Sequence, residues 1–238
     1  MQTFNSEAEL ELIEENKNFL KSVKAEEIAE NFPLFITRQQ LVRYLVRYEL
    51  FKKILNIKGS IVECGVYKGA SLMLLAKLSA AYEPYAFNRE IIGFDTFAGF
   101  PGVDNKDGSY AYAGDLADAD LSLIEKSVSL FDKNRPVGHV PKVKLVKGDA
   151  VKTIPEYFAE NPSLVVALLY LDFDIYEPTK VALQTILPRM PKGAIIAFDE
   201  LNEARRQGET VALLETMDLN KYKIEKFPEE PHISYLRV

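Results

Sequence analysis

Two apolar runs in this chain finish in acid. Leu168-Leu169-Tyr170-Leu171 leads into Asp172-Phe173-Asp174, and Ala194-Ile195-Ile196-Ala197-Phe198 leads into Asp199-Glu200. A carboxylate at the end of a buried strand must be solvated, hydrogen-bonded or paired with a cation. Two neighbouring strands ending in this way would put several carboxylates on one rim. Asp172, Asp199 and Glu200 would then offer hard oxygen donors suited to Mg2+, Mn2+ or Ca2+. With 2 histidines and 1 cysteine in the whole chain, a zinc site of the usual kind is excluded. Asp174 has Pro178 and Thr179 close behind it, and reads as a helix cap or a supporting group rather than a ligand.

A second set of residues has the spacing of a cofactor site. Ile61-Val62-Glu63-Cys64-Gly65-Val66-Tyr67-Lys68-Gly69-Ala70-Ser71 reads as a strand end, a glycine-bearing turn and a helix start. Glycine there lets the backbone turn sharply and approach a ligand. The turn lacks the G-x-G-x-x-G of a dinucleotide site. Its E-x-G-x-x-x-G pattern is one that S-adenosylmethionine sites use. Ile91-Ile92-Gly93-Phe94-Asp95-Thr96 ends a second strand in an acid that could accept hydrogen bonds from ribose hydroxyls. Val146-Lys147-Gly148-Asp149 puts another acid after a third strand, where it could cap the next helix, meet an adenine, or do both. The candidate cofactor-binding residues are therefore Glu63, Gly65, Tyr67, Gly69, Ser71, Asp95, Thr96 and Asp149.

These residues need strands to carry them and helices to cover the strands. Short β-branched or apolar runs predict strands over 60–64, 90–95, 143–146, 164–172 and 194–199. Helical patterns predict helices over 70–81, 150–158, 177–187 and 209–217. Two final strands, 221–227 and 232–237, flank a Pro228-Glu229-Glu230-Pro231 turn. Such alternation predicts an α/β fold, a doubly wound, seven-stranded, mostly parallel sheet with an antiparallel C-terminal hairpin. Residues 1–58 read as a helical extension, with Pro33 breaking the pattern and Thr37 as the N-cap of a helix over 38–55. This extension would pack on the main domain or a partner subunit, or act as a lid. Residues 59–238 form the main domain. The connection from 96 to 121 is long and rich in Gly, Asp, Phe and Tyr, as expected of a substrate loop.

The ordered motifs E-C-G-V-Y-K-G, F-D-T-F-A-G-F-P, L-D-F-D-I-Y-E-P-T and I-I-A-F-D-E-L resemble the macrocin O-methyltransferase (TylF) family, relatives of the mycinamicin and novobiocin sugar O-methyltransferases. The resemblance runs from residue 59 to about 217. It implies a class I, Rossmann-like fold and an enzyme dependent on S-adenosylmethionine and Mg2+ (or Mn2+) that methylates a sugar hydroxyl. It also implies roles: Asp172 as metal ligand and general base, Asp199 and Glu200 as metal ligands, and Asp95 as the acid on the cofactor's ribose. The chain departs from the pattern with Glu200 in place of a second Asp, and with Pro178 where Ser or Thr is common. It keeps a Gly208-Glu209-Thr210 helix start. A metal-dependent enzyme of the same fold with another chemistry, or a nucleoside-binding subunit without activity, remain the other readings.

The formal net charge of −6 argues against general binding to nucleic acid or anionic membranes. No stretch approaches the roughly 20 apolar residues of a membrane span. Residues 1–18 are acidic and polar and do not resemble a signal peptide, so a cytoplasmic location is expected. The expected partner is a small sugar-type acceptor, and the apolar positions of the N-terminal helices would suit a homodimer. Cys64 reads as a small buried hydrophobe, and His139 and His232 as bystanders. Arg205 and Arg206, just past the rim, could hold an anionic part of a substrate.

Overall fold

The computed structural model describes residues 6–238; residues 1–5 of the acidic N-terminal stretch lie outside them. The chain divides into two compact units, Met1–Arg43 and Tyr44–Val238.

The first unit is helical, with α1 (Glu7–Lys21), α2 (Ala25–Glu30), α3 (Phe32–Phe35) and the start of α4 (Arg38–Ile54). Pro33 stands in the first turn of α3, where its missing N–H costs nothing. Thr37 caps α4 as expected: its Oγ1 accepts the Gln40 N–H at 3.2 Å, and Gln40 Oε1 accepts the Thr37 N–H at 2.8 Å.

The second unit begins inside α4. Val46, Leu50, Phe51 and Ile54 are buried. Next come β1 (Ser60–Cys64), α5 (Ala70–Tyr82), β2 (Ile91–Asp95), α6 (Leu121–Lys133), β3 (Val143–Lys147), α7 (Ala150–Glu160), β4 (Val166–Leu171) and α8 (Tyr176–Ile186). The chain closes with β5 (Ile195–Phe198), α9 (Gly208–Thr216), β6 (Ile224–Phe227) and β7 (Glu230–Arg237). Seven strands form one sheet in the order β3-β2-β1-β4-β5-β7-β6. Pairings from β3 through β5 are parallel, and β7 runs antiparallel to both β5 and β6. β1 and β4 are buried at every residue, as expected of parallel strands covered on both faces. No helix among the described residues is long and apolar enough to cross a membrane.

Two elements differ from expectation. α6 occupies a stretch to which the sequence reading assigns no element, although Leu121, Ile124, Val128 and Phe131 recur at helical spacing and Asp120 caps it by accepting the Leu123 N–H. The last strand starts at Glu230, because Phe227 pairs with Glu230 and leaves only Pro228 and Glu229 in the turn.

The order of strands reverses at β1 and β4. Open α/β sheets bind ligands at the carboxyl ends of strands flanking such a switch point.

Candidate active site

One carboxylate fixes the glycine turn after β1. Asp95, at the end of β2, accepts the N–H groups of Val66 and Tyr67 at 2.8 Å on Oδ2, and that of Phe97 at 2.7 Å on Oδ1. Gly65 has φ +94, and a Cβ there would fall 1.9 Å from the carbonyl oxygen of Asp172. The turn and the end of β4 meet so closely that no side chain fits. Tyr67 adopts φ +49 and donates its hydroxyl to Asp118 at 2.7 Å, while Lys68 Nζ donates to the other oxygen of that carboxylate at 2.6 Å. This ties the end of the long loop to the turn.

Beneath the loop lies a cavity at the carboxyl ends of β1 to β4. Gly65, Tyr67, Asp95, Thr96 and Asp149 line it together with Asp172, and Phe100, Pro101 and Leu116 of the long loop cover one side. Asp149 also caps α7 by accepting the Val151 N–H at 3.1 Å. A carboxylate offers about four acceptor positions. Asp95 spends three on backbone, which leaves capacity on Oδ1 toward the cavity. A bare glycine edge beside a spare carboxylate acceptor fits a nucleoside with an amino-acid arm.

Three expected cofactor residues take other places. Glu63 is buried in β1, facing Ser71 and Arg47; burial pushes its carboxyl up to about 8, against the pull of Arg47. Ser71 Oγ accepts from Arg47 Nε at 2.8 Å. Gly69 is the left-handed N-cap of α5, against Ile124. None of the three lines the cavity. The strand–turn–helix spacing was legible, but Glu63 and Ser71 serve a buried cation that the motif does not contain.

That cation is Arg47, on α4 and 6% exposed. Its Nη2 lies 3.9 Å from Asp172 Oδ2 and 3.8 Å from Asp199 Oδ1, and its guanidinium packs 5.1 Å from the centre of the Tyr170 ring. Tyr170 donates its hydroxyl to Asp199 at 2.7 Å. Asp172 and Asp199 therefore share one guanidinium. The Asp172 side chain keeps 27% exposure against 6% for Asp199, so Asp172 is the acid a ligand can reach. Burial and the charges of Asp199 and Asp174 raise the Asp172 carboxyl well above the usual carboxylate range, with Arg47 opposing.

The second half of the rim leans on Arg206. It forms an ion pair with Asp174 and lies 3.6 Å from Asp115 and 4.0 Å from Glu200. Arg206 is thus engaged by the protein's own acids, whereas the Arg205 guanidinium packs 4.9 Å from the Tyr110 ring centre and 3.4 Å from Glu203. Asp174 has φ +62, and its side chain does not cap α8, whose N-cap is Ile175. Burial raises Asp174 to about 6 and, with the charge of Asp174, raises Glu200 to about 8; Arg206 opposes both.

Asp172, Asp199 and Glu200 do lie at the ends of adjacent strands, with Asp172 and Asp199 on Arg47 and Glu200 near Arg206. Among the described residues no three His, Cys, Asp or Glu side chains converge as a metal cage. The donor set still suits a hard cation. It is all oxygen, the carboxyls of Asp172, Asp174, Asp199 and Glu200 outnumber the two guanidiniums, and buried Glu200 Oε2 accepts no hydrogen bond.

Known proteins resemble this chain in sequence and fold. Residues 48–212 match the family model described as Macrocin-O-methyltransferase (TylF). The crystal structure of CalS11, described as a calicheamicin methyltransferase, superposes with a TM-score of 0.93 at 37% identity, covering 99% of this chain and 94% of that one. An apo structure of CalS11, described as a TDP-rhamnose 3'-O-methyltransferase, gives a TM-score of 0.85 at 35% identity, covering 99% and 96%. The 8-demethyl-8-(2,3-dimethoxy-alpha-L-rhamnosyl)-tetracenomycin-C 4'-O-methyltransferase of Streptomyces olivaceus is 25% identical over 157 residues, 61% of this chain and 54% of that protein. The demethyldecarbamoylnovobiocin O-methyltransferase of Streptomyces niveus is 26% identical over 149 residues, 61% and 53%. The chain thus spans about half the length of the curated relatives it matches. Its fold is that of the class I S-adenosylmethionine-dependent methyltransferases.

Proposed function

Because the chain belongs to the macrocin-O-methyltransferase (TylF) family, we propose that it transfers a methyl group from S-adenosylmethionine to a hydroxyl of a sugar or sugar-bearing small molecule, with Mg2+ or Mn2+ at the acid rim. One observation carries this reading. Asp172 lines the cavity that suits the cofactor and also stands on the rim of acids, so a proton acceptor lies beside the methyl donor's place. The relatives narrow the acceptor, since CalS11 and the tetracenomycin enzyme are both named for rhamnose units. A rhamnose-type sugar is the acceptor class proposed here.

S-adenosylmethionine, when bound, supplies a methyl group on a sulfonium, open to in-line attack. Mg2+ held by Asp172, Asp199 and Glu200 would supply Lewis acidity toward a weakly nucleophilic hydroxyl. The chain's own residues do the rest. Asp95 orders the turn and offers its remaining acceptor capacity to a ribose. Gly65 lets the ligand lie against bare backbone. Asp172 receives the acceptor's proton on a carboxylate oxygen. Tyr170 and Arg47 hold Asp199 at the side of Asp172. Phe100, Pro101 and Leu116 keep water from one wall of the cavity.

The cofactor assignment is tested by calorimetry and thermal shift with S-adenosylmethionine. The native protein is expected to give a binding heat and an upward shift in melting temperature, and Asp95→Ala to lose both. A native protein that gives no heat, or an Asp95→Ala variant that binds as well as the native one, would remove it.

A further inference from the structure

The Gly208-Glu209-Thr210 start of α9 is not used by the chemistry above, yet its three residues meet the two loops that carry the acids. Glu209 is fully buried. Its Oε1 accepts the backbone N–H of Asp174, just past β4, and its Oε2 accepts that of Glu200, just past β5, both at 3.3 Å. Thr210 Oγ1 accepts the N–H of Asn202 at 2.8 Å, further along the second loop. Gly208 lets the helix come this close, because a Cβ there would lie 2.6 Å from the Tyr176 nitrogen and 2.7 Å from Asp107 Oδ1.

Paired backbone ends just before this point. Leu171 opposite Phe198 is the last matched pair of β4 and β5, followed by the Asp199 N–H on the Leu171 carbonyl at 3.0 Å. Past it, no sheet hydrogen bond holds the two loops at a fixed separation. A carboxylate with one oxygen on each loop restores that restraint. A carboxylate at a buried helix start, where an apolar side chain would suffice for packing, has its use in the two bonds it accepts.

We propose that Glu209 is a positioning residue that clips the β4 and β5 loops together and so sets the spacing between Asp172 and the Asp199-Glu200 pair, with Gly208 and Thr210 seating it. This rests on the reading that those acids do the chemistry, but the first readout is independent of it. Hydrogen exchange of the whole unliganded protein is compared between the native chain and Glu209→Gln, in which one acceptor oxygen becomes an NH2 donor facing an N–H. The amides of Asp174 and Glu200 are expected to exchange at least about tenfold faster, together, while β1 and β2 keep their protection. Acceleration at neither amide, or at only one, overturns the clip.

The second readout is kinetic. Glu209→Gln and Glu209→Asp, which keeps the charge but falls one methylene short, are each expected to lower kcat by about tenfold or more. The KM for S-adenosylmethionine should stay within about twofold of native, because Glu209 does not itself line the cavity. Full kcat in Glu209→Asp, or a KM that rises as kcat falls, overturns the positioning role. If Glu209→Gln does not fold, Glu209→Asp carries both readouts. A native protein without methyl transfer would instead sink the proposed function and leave the exchange result standing.

Discussion

Asp172→Asn is expected to lower methyl transfer by about 10^3-fold while leaving the affinity for S-adenosylmethionine within a few-fold of native. The amide is nearly isosteric, so the cavity wall and the close contact with Gly65, made by the Asp172 backbone carbonyl, both survive. What goes is the one acid that combines exposure to the cavity with a place on the rim. A positioned general base contributes roughly 10^2- to 10^4-fold, and the same carboxylate would also hold the metal. Single-turnover rates with labelled cofactor, set beside calorimetric affinities, separate chemistry from binding. A variant that keeps a tenth or more of native activity would place the base elsewhere.

Arg47→Met is expected to be the most destabilising of the site substitutions. Glu63, Asp172 and Asp199 all lean on this guanidinium, and methionine fills much of its volume without its charge. Removing one partner of a buried ion pair costs roughly 3–5 kcal/mol. For a chain of this size that is a fall of about 6–20 °C in melting temperature. Arg47→Lys keeps the charge but loses the bond from Nε to Ser71 and the flat face on Tyr170, so an intermediate fall is expected. Activity should fall further than stability, because Asp172 and Asp199 would no longer be held side by side. A melting temperature within 2 °C of native for Arg47→Met would show that the acids do not depend on it.

The acids of the site were legible in the sequence for a simple reason. An apolar run that ends in carboxylates leaves few structural explanations, and Asp172, Asp199 and Glu200 do stand at the ends of β4 and β5. The turn was legible through Gly65, whose bare Cα the crowding against β4 requires. The cations were not legible. Arg47 sits at spacings of three, four and seven before Leu50, Phe51 and Ile54, on the apolar stripe of α4. A charge on such a stripe is the signal that could have found it. Instead the helix reads as an extension that packs on the main domain or a partner subunit, or acts as a lid, with no charge assigned to the site. Glu209 was legible only as a helix start, since its two partners are backbone groups separated from it by 35 and 9 residues. Asp174 was read as a cap because Pro178 and Thr179 follow it. Its left-handed backbone, and the arginine 32 residues away that holds its side chain, carry no local trace.

The proposed Mg2+ or Mn2+ would answer an imbalance of charge rather than fill an assembled cage. Asp172 and Asp199 are drawn to one guanidinium and Asp174 and Glu200 to another. An added cation would have to compete with both.

The most direct measurement is transfer of labelled methyl from S-adenosylmethionine to TDP-rhamnose and related rhamnose-bearing acceptors, with Mg2+ and with chelator. Label in the sugar that is lost on chelation and returns with Mg2+ is the predicted result. Bound cofactor with no label in any sugar acceptor, or transfer at full rate in the presence of chelator, would contradict it.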